Sequence, residues 1–247
     1  MLGSGQQAVH FPTRVVMPEG RRHLELRILI FDFLRLAFGE LATIGSDQFV
    51  YWDPTSPRVC LAPDAFVFFG AKDEQFDSWK VWERGVPQVA IEVVSESETD
   101  LSWDEKFARY QRLGVSELVW FDPGAPERPL RIWDFVGDDL LERRLPAPLA
   151  HSRHLGGYWL PIEEPNGGLT LRLSRDPQGL LLFPTLAELN AQRFQAEAEA
   201  HRAEAEAGRA EAEARRVAEH ALRVETEARR AAEQRIVELE AELKRRS

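Results

Sequence analysis

The chain has 247 residues, of which 44% are hydrophobic, and a formal net charge of −10 at pH 7. This length and composition are enough for one large domain, or for a domain with an appendage, and they predict a soluble protein with a real core. Proteins that coat phosphate backbones carry a basic face, so broad nonspecific affinity for DNA is not expected. Cys60 is the only cysteine, which excludes an intrachain disulfide and a cysteine-based zinc site and predicts a cytoplasmic location.

The first 19 residues are predicted to be a flexible lead. The start, "MLGSGQQAVHFPTRV", lacks the charged and apolar regions of a signal peptide. No stretch of the chain approaches the roughly 20 apolar residues that are needed to cross a bilayer. No membrane partner is therefore expected.

The first regular element is predicted to be a helix, "RRHLELRILIFDFLRLAFGE", which ends at Gly39. Residues at helical spacing predict its apolar face: Leu24, Ile28, Phe31, Leu34 and Phe38. Strand-like apolar segments follow at residues 47–52, 58–69, 88–94 and 117–122. A second helix is predicted between the last two of these segments, because Phe107, Tyr110 and Leu113 form an apolar stripe that Gly114 ends.

The next part of the chain is predicted to be rich in strands. "PLRIWDF" and "DLLERRL" are joined by a turn signal, and "GGLTLRL" and "GLLLF" follow them. Together with the preceding helices, these segments predict a mixed α/β body with a β-rich end.

Two carboxylates stand out within the apolar segments. Asp64 follows Pro63 and opens the run "AFVFF", and Glu92 lies in the middle of "QVAIEVV". A buried charge without a partner is costly, and two carboxylates on one side of paired strands would repel each other. A hard divalent cation between them resolves both problems, since Mg²⁺ prefers one or two carboxylates together with water and phosphate oxygens. Lys106, on the second helix, could reach the same point.

A plainer interpretation of these three residues stays open. Asp64 alone can be a strand-start residue, Glu92 can face water from an edge strand, and most lysines on helices are solvated. Only their combination predicts a site.

Four segments in chain order resemble one known family. They are the opening helix with His23, "APDAFVFF", "AIEVVSESE" and "DEKFARYQRLGVSELVWFDP". Together they resemble the Uma-two type of bacterial endonucleases, within the PD-(D/E)XK, or restriction-endonuclease-like, superfamily. The resemblance covers residues 20 to 185 or so. It implies a nuclease-like domain over residues 20–187, with a restriction-endonuclease-like mixed β-sheet flanked by helices.

The resemblance also implies the residues of the site. Asp64 and Glu92 would bind Mg²⁺ or Mn²⁺, and the main-chain carbonyl of Val93 would be a third ligand. The position of the lysine in the family's E-x-K pattern holds Val94 here, which makes Lys106 its counterpart. Asp64, Glu92 and Lys106 would then be the catalytic residues of a Mg²⁺-dependent endonuclease that hydrolyses DNA phosphodiester bonds with metal-activated water.

Two further expectations come with alternatives. Glu25 holds a position at which the family resemblance suggests one more carboxylate, although an exposed helix residue is the favoured interpretation. The alternative to a nuclease is a catalytically weak or inactive protein of the same fold that acts as an interaction module.

The composition changes near residue 190, after which the chain is rich in Ala, Glu and Arg. A seven-residue repeat begins at Ala196 and predicts one long helix, within a tail of residues 188–247, that winds around a partner as a coiled coil. The predicted seam consists of Ala196, Ala200, Ala203, Ala207, Ala210, Ala214, Val217, Ala221, Val224 and Ala228. The partner would be a second copy, giving a homodimer, or another protein. A single solvated helix with pairs such as Glu211 with Arg215 is the alternative.

Overall fold

The computed structural model of the chain describes residues 10–12, 20–95, 103–144, 150–165 and 167–246, and the predicted lead of residues 1–19 lies mostly outside these ranges. The chain divides into two compact units, Met1–Ala187 and Glu188–Ser247. The described helices are α1 (Arg21–Phe38), α2 (Val81–Arg84), α3 (Trp103–Leu113) and α4 (Leu186–Arg246). The described strands are β1 (Ala42–Gly45), β2 (Val50–Tyr51), β3 (Cys60–Leu61), β4 (Ala65–Phe69), β5 (Trp79–Lys80), β6 (Val89–Val93), β7 (Glu117–Phe121), β8 (Leu130–Val136), β9 (Asp139–Glu142), β10 (Ala150–Ser152), β11 (Gly157–Glu163) and β12 (Leu169–Ser174).

The first unit is built on a six-stranded sheet with the order β1-β4-β6-β7-β8-β9. Strands β6 and β7 are parallel, and every other neighbouring pair in this sheet is antiparallel. A parallel pair needs a crossover connection, and α3 lies between β6 and β7 in the chain. Two three-stranded sheets, β10-β11-β12 and β3-β2-β5, complete the unit. The predicted mixed sheet with helices is therefore confirmed.

Strand β6 is buried along its whole length because it is covered on both faces. Val89, Ile91 and Val93 belong to the core cluster that contains the buried residues of α1. Ala90 belongs to the other cluster, which contains Tyr110 of α3. Side chains alternate along a strand, so Glu92 points to the same side as Ala90, toward α3.

The buried face of α1 matches the predicted one at Leu34 and Phe38 and differs from it toward the N-terminus. Its buried residues are Leu26, Ile30, Phe33, Leu34 and Phe38, whereas Leu24 is 38% and Ile28 is 47% exposed. The helix has apolar residues around most of its circumference, so spacing alone allowed more than one face. The stripe that packs on the sheet is the one that starts at Leu26.

Most predicted strands are present, but the β-rich end differs in detail. The segment "GLLLF" forms no named strand and has only an isolated bridge between Leu182 and Ser174, because the Asp176 side chain accepts backbone N–H bonds from Leu180 and Leu181 and holds a turn. Strand β11 was not predicted. Its Pro161 pairs with β12 but lies beyond the part of β11 that pairs with β10. Because proline has no N–H to donate, it is tolerated at a position where no hydrogen bond to β10 is needed.

The second unit consists of α4, a continuous helix of 61 residues counted from Leu186. Two of its arginines pair with glutamates four residues after them, Arg215 with Glu219 at 2.9 Å and Arg229 with Glu233 at 3.2 Å. Along the described part of the chain, no helix is both long enough and apolar enough to cross a membrane.

Candidate active site

Asp64 lies directly before β4, at the point where β4 meets β6. Ala65 of β4 pairs with Ile91 of β6, so the antiparallel register places Asp64 opposite Glu92. The Val93 N–H donates a hydrogen bond of 2.7 Å to Asp64 Oδ2. Asp64 is 8% exposed, and this bond fixes its carboxylate against the end of β6.

Glu92 is held by two donors from α3. Lys106 Nζ lies 2.8 Å from Glu92 Oε2, and the Tyr110 hydroxyl donates a hydrogen bond to Glu92 Oε1. Residues 106 and 110 are one helical turn apart, which puts both side chains on the same face of α3. Glu92 is only 2% exposed, so the alternative of an exposed edge-strand carboxylate is excluded.

The environment of Glu92 changes its acidity. Burial has the largest effect and raises the pKa of Glu92 to about 7, while the Lys106 ammonium lowers the pKa and the Asp64 carboxylate raises it. The effect of Asp64 shows that the two carboxylates interact electrostatically. Glu92 therefore exchanges a proton near neutral pH, and a cation that binds Glu92 has to displace that proton.

His23 of α1 is part of the same cluster. Its Nε2 atom lies 2.9 Å from the Val93 carbonyl oxygen and 3.2 Å from each carboxylate oxygen of Asp64. A carbonyl oxygen only accepts, so Nε2 carries a proton and donates. The oxygens of Asp64 and Val93 thus converge on one point, which lies at the first turn of α1.

Two residues of this cluster, His23 and Tyr110, were not predicted from the sequence to belong to the site. His23 was recognised only as part of the family resemblance, and Tyr110 only as part of an apolar stripe. The spacing of Tyr110 four residues after Lys106 was the one available signal. Glu25, in contrast, pairs with Arg21 at 2.9 Å, and its side chain is 49% exposed, so it lies outside this cluster.

The donor atoms of the predicted metal ligands determine which kind of metal ion this cluster could bind. Within the described ranges, no group of three or more His, Cys, Asp and Glu side chains is arranged to hold a metal ion. The predicted set consists of two carboxylates and one main-chain carbonyl, which are the hard oxygen donors that Mg²⁺ and Mn²⁺ prefer. The protonated nitrogen of His23 shows that Asp64 and the Val93 carbonyl can bind a single electropositive group together. In its donor atoms the set fits a hard divalent cation.

The sequence model of the Uma2 family, described as "Putative restriction endonuclease", matches residues 13–139. This match covers just over half of the chain. Among solved structures, the chain is similar to "a putative nuclease belonging to DUF820" from Anabaena variabilis ATCC 29413, with 13% identity and a TM-score of 0.41 over 57% of this chain and 76% of that chain. No curated protein matches. By the family match the chain belongs to the Uma2 family, which confirms the predicted restriction-endonuclease-like fold and supports a nuclease.

Proposed function

We propose that this protein is an endonuclease that hydrolyses DNA phosphodiester bonds with the help of Mg²⁺ or Mn²⁺. One observation carries the proposal: the register of β4 on β6 places Asp64 opposite Glu92, and Lys106 binds Glu92 there. Membership of a nuclease family supports the reaction class. The Asp64 carboxylate raises the pKa of Glu92, and a divalent cation bound by both residues would offset this repulsion.

Three groups would hold the cation: the carboxylates of Asp64 and Glu92 and the main-chain carbonyl of Val93. When bound, a divalent cation supplies positive charge to the scissile phosphate and lowers the pKa of a coordinated water. The chain contributes the positions of the ligands. The Val93 N–H fixes Asp64, and Tyr110 fixes Glu92, so both carboxylates are oriented before substrate binds.

Lys106 is proposed to act on the reacting atoms. Its side chain is 17% exposed, whereas the side chain of Glu92 beside it is 2% exposed, so Lys106 lies between the buried carboxylate and solvent. An ammonium has three N–H donors. From this position the Lys106 ammonium would orient the attacking water or offset the negative charge that develops on the phosphate.

A plasmid cleavage assay tests this function. The purified protein should convert supercoiled DNA to nicked or linear DNA when Mg²⁺ or Mn²⁺ is added, and a chelator should stop the reaction. Glu92→Ala and Lys106→Ala should each lower the rate about 100-fold or more, because each removes a charged group from the reacting centre. Glu25→Gln is the matched control, since Glu25 is exposed and paired with Arg21, and it should cleave at the wild-type rate.

Two results would count against the nuclease. One is the absence of cleavage by the folded wild-type protein across a range of divalent ions and salt concentrations. The other is equal cleavage by the wild type and Glu92→Ala, which would place the chemistry elsewhere or in a contaminant.

We also propose that α4 is a coiled-coil arm that pairs with a helix of a second copy or of a partner protein. The observation that favours an interaction role is a continuous helix whose larger apolar residues stay exposed, including Val217 at 61% and Val224 at 53%. This role is compatible with an active or an inactive nuclease domain. The single cysteine favours action in the cytoplasm.

A further inference from the structure

The seven-residue repeat of α4 defines which positions flank its seam. Seam residues alternate at spacings of four and three from Ala196 onward, so Ala196 takes position d of a heptad and Ala200 takes position a. This register continues through Val224 and Ala228. Gly208, within this stretch, does not interrupt the helix.

The flanking positions e and g carry one sign of charge. Over residues 196–230 they comprise ten residues, of which eight are glutamate and none is lysine or arginine. The glutamates at position e are Glu197, Glu204, Glu211 and Glu225, and those at position g are Glu199, Glu206, Glu213 and Glu227. Ala218 and His220 take the other two positions.

The arginines of the repeat lie on the outer side of the helix. Arg202, Arg209 and Arg216 take position c of successive heptads. Two ion pairs of α4, Arg215 with Glu219 and Arg229 with Glu233, join positions b and f. The arginine charge is thus concentrated away from the seam, and the glutamates at e and g border the surface that a partner helix would contact.

A second copy of this chain does not fit that surface. In a parallel pair, position g of one helix faces position e of the next heptad of the other helix, so Glu199 would face Glu204 of its partner and Glu206 would face Glu211. In an antiparallel pair, e faces e and g faces g, which again opposes glutamates. The alanine seam buries little apolar surface to offset this repulsion.

We propose that residues 196–230 of α4 dock a helix of another protein that carries Lys or Arg at its own e and g positions, in preference to a second copy of this chain. Flank charges of opposite sign set partner choice in coiled coils. The small alanine side chains leave room for large apolar residues, such as Leu, from that helix. The proposal rests on the coiled-coil role of α4 and not on nuclease activity.

The full-length chain can be tested with two synthetic helices of five heptads. Both have Leu at a and d; one has Lys at all e and g positions, and the other has Glu. Fluorescence anisotropy at low salt should give at least tenfold tighter binding of the Lys peptide, and added salt should weaken it. A full-length variant with the eight flanking glutamates changed to Lys should reverse the preference. Unchanged far-ultraviolet circular dichroism would show that the variant keeps its helix.

Mixing the full-length proteins gives a second readout. In sedimentation, a mixture of wild type and the eightfold variant should form a one-to-one heterodimer. The wild type alone should form no dimer of comparable stability. A wild-type homodimer that is as tight as this heterodimer would overturn the proposal, as would equal binding of the two peptides. Binding of neither peptide would overturn the coiled-coil role itself, so the two failures are distinguishable.

Discussion

At the scale of single residues, the central feature is a carboxylate in the middle of a buried strand. Glu92 is stable there because Lys106 and Tyr110 both donate to it. Its apolar neighbours in the sequence singled it out, but only its combination with Asp64, Lys106 and the family resemblance predicted a site. The hydroxyl of Tyr110 and the ring of His23 could not be predicted, because both contacts depend on how helices pack on the sheet and not on local sequence.

The raised pKa of Glu92 makes stability depend on pH in a defined direction. The folded protein holds the proton up to about pH 7, whereas an ordinary carboxyl has a pKa of 4.5. The unfolded chain therefore binds fewer protons in this window, and stability falls as pH rises from about 4.5 to 7. The contribution is on the order of 2–3 kcal/mol.

Comparison with Glu92→Gln isolates this contribution, because an amide stays uncharged at every pH. In the presence of a chelator, the melting temperature of the wild type minus that of Glu92→Gln should fall between pH 5 and pH 7. A difference that is flat or that increases with pH would contradict the assigned protonation of Glu92.

At the scale of elements, the pattern of apolar residues predicted some strands, and the others follow only from how the chain packs. Strands β4, β6 and β7 were predictable because each is a compact apolar run. Strand β1 was not, since it has only four residues and ends at Gly45. The structure shows why glycine is there: a Cβ on Gly45 would lie 2.1 Å from the ring of Phe66, its cross-strand neighbour on β4.

Gly45→Ala should therefore destabilise the first unit. The Phe66 ring would have to move within a close-packed core, at a cost of about 1–3 kcal/mol in the free energy of unfolding. Urea denaturation followed by tryptophan fluorescence measures this loss. Gly208→Ala is the control, because Gly208 lies in α4 whereas all seven tryptophans lie in the first unit, so the unfolding midpoint that they report should match the wild type. An unchanged midpoint for Gly45→Ala would contradict the described packing of β1 on β4.

At the scale of the whole molecule, charge is distributed unevenly. Residues 191–247 carry 12 basic and 13 acidic residues, so nearly all of the net charge of −10 belongs to the first 190 residues. An acidic body repels the phosphate backbone of DNA. A nuclease with such a body needs a local positive charge at its site, and the Lys106 ammonium is already paired with Glu92. A divalent cation bound by Asp64 and Glu92 would supply that charge.

Diffraction from crystals soaked in Mn²⁺, with data collected near the manganese absorption edge, tests the proposed metal site. We expect one anomalous peak at the junction of β4 and β6, with Asp64, Glu92 and the Val93 carbonyl among its ligands. Crystals of Glu92→Gln, soaked in the same way, should show a weaker peak or none. No peak at a saturating Mn²⁺ concentration, or a peak that contacts neither Asp64 nor Glu92, would contradict the proposed metal site.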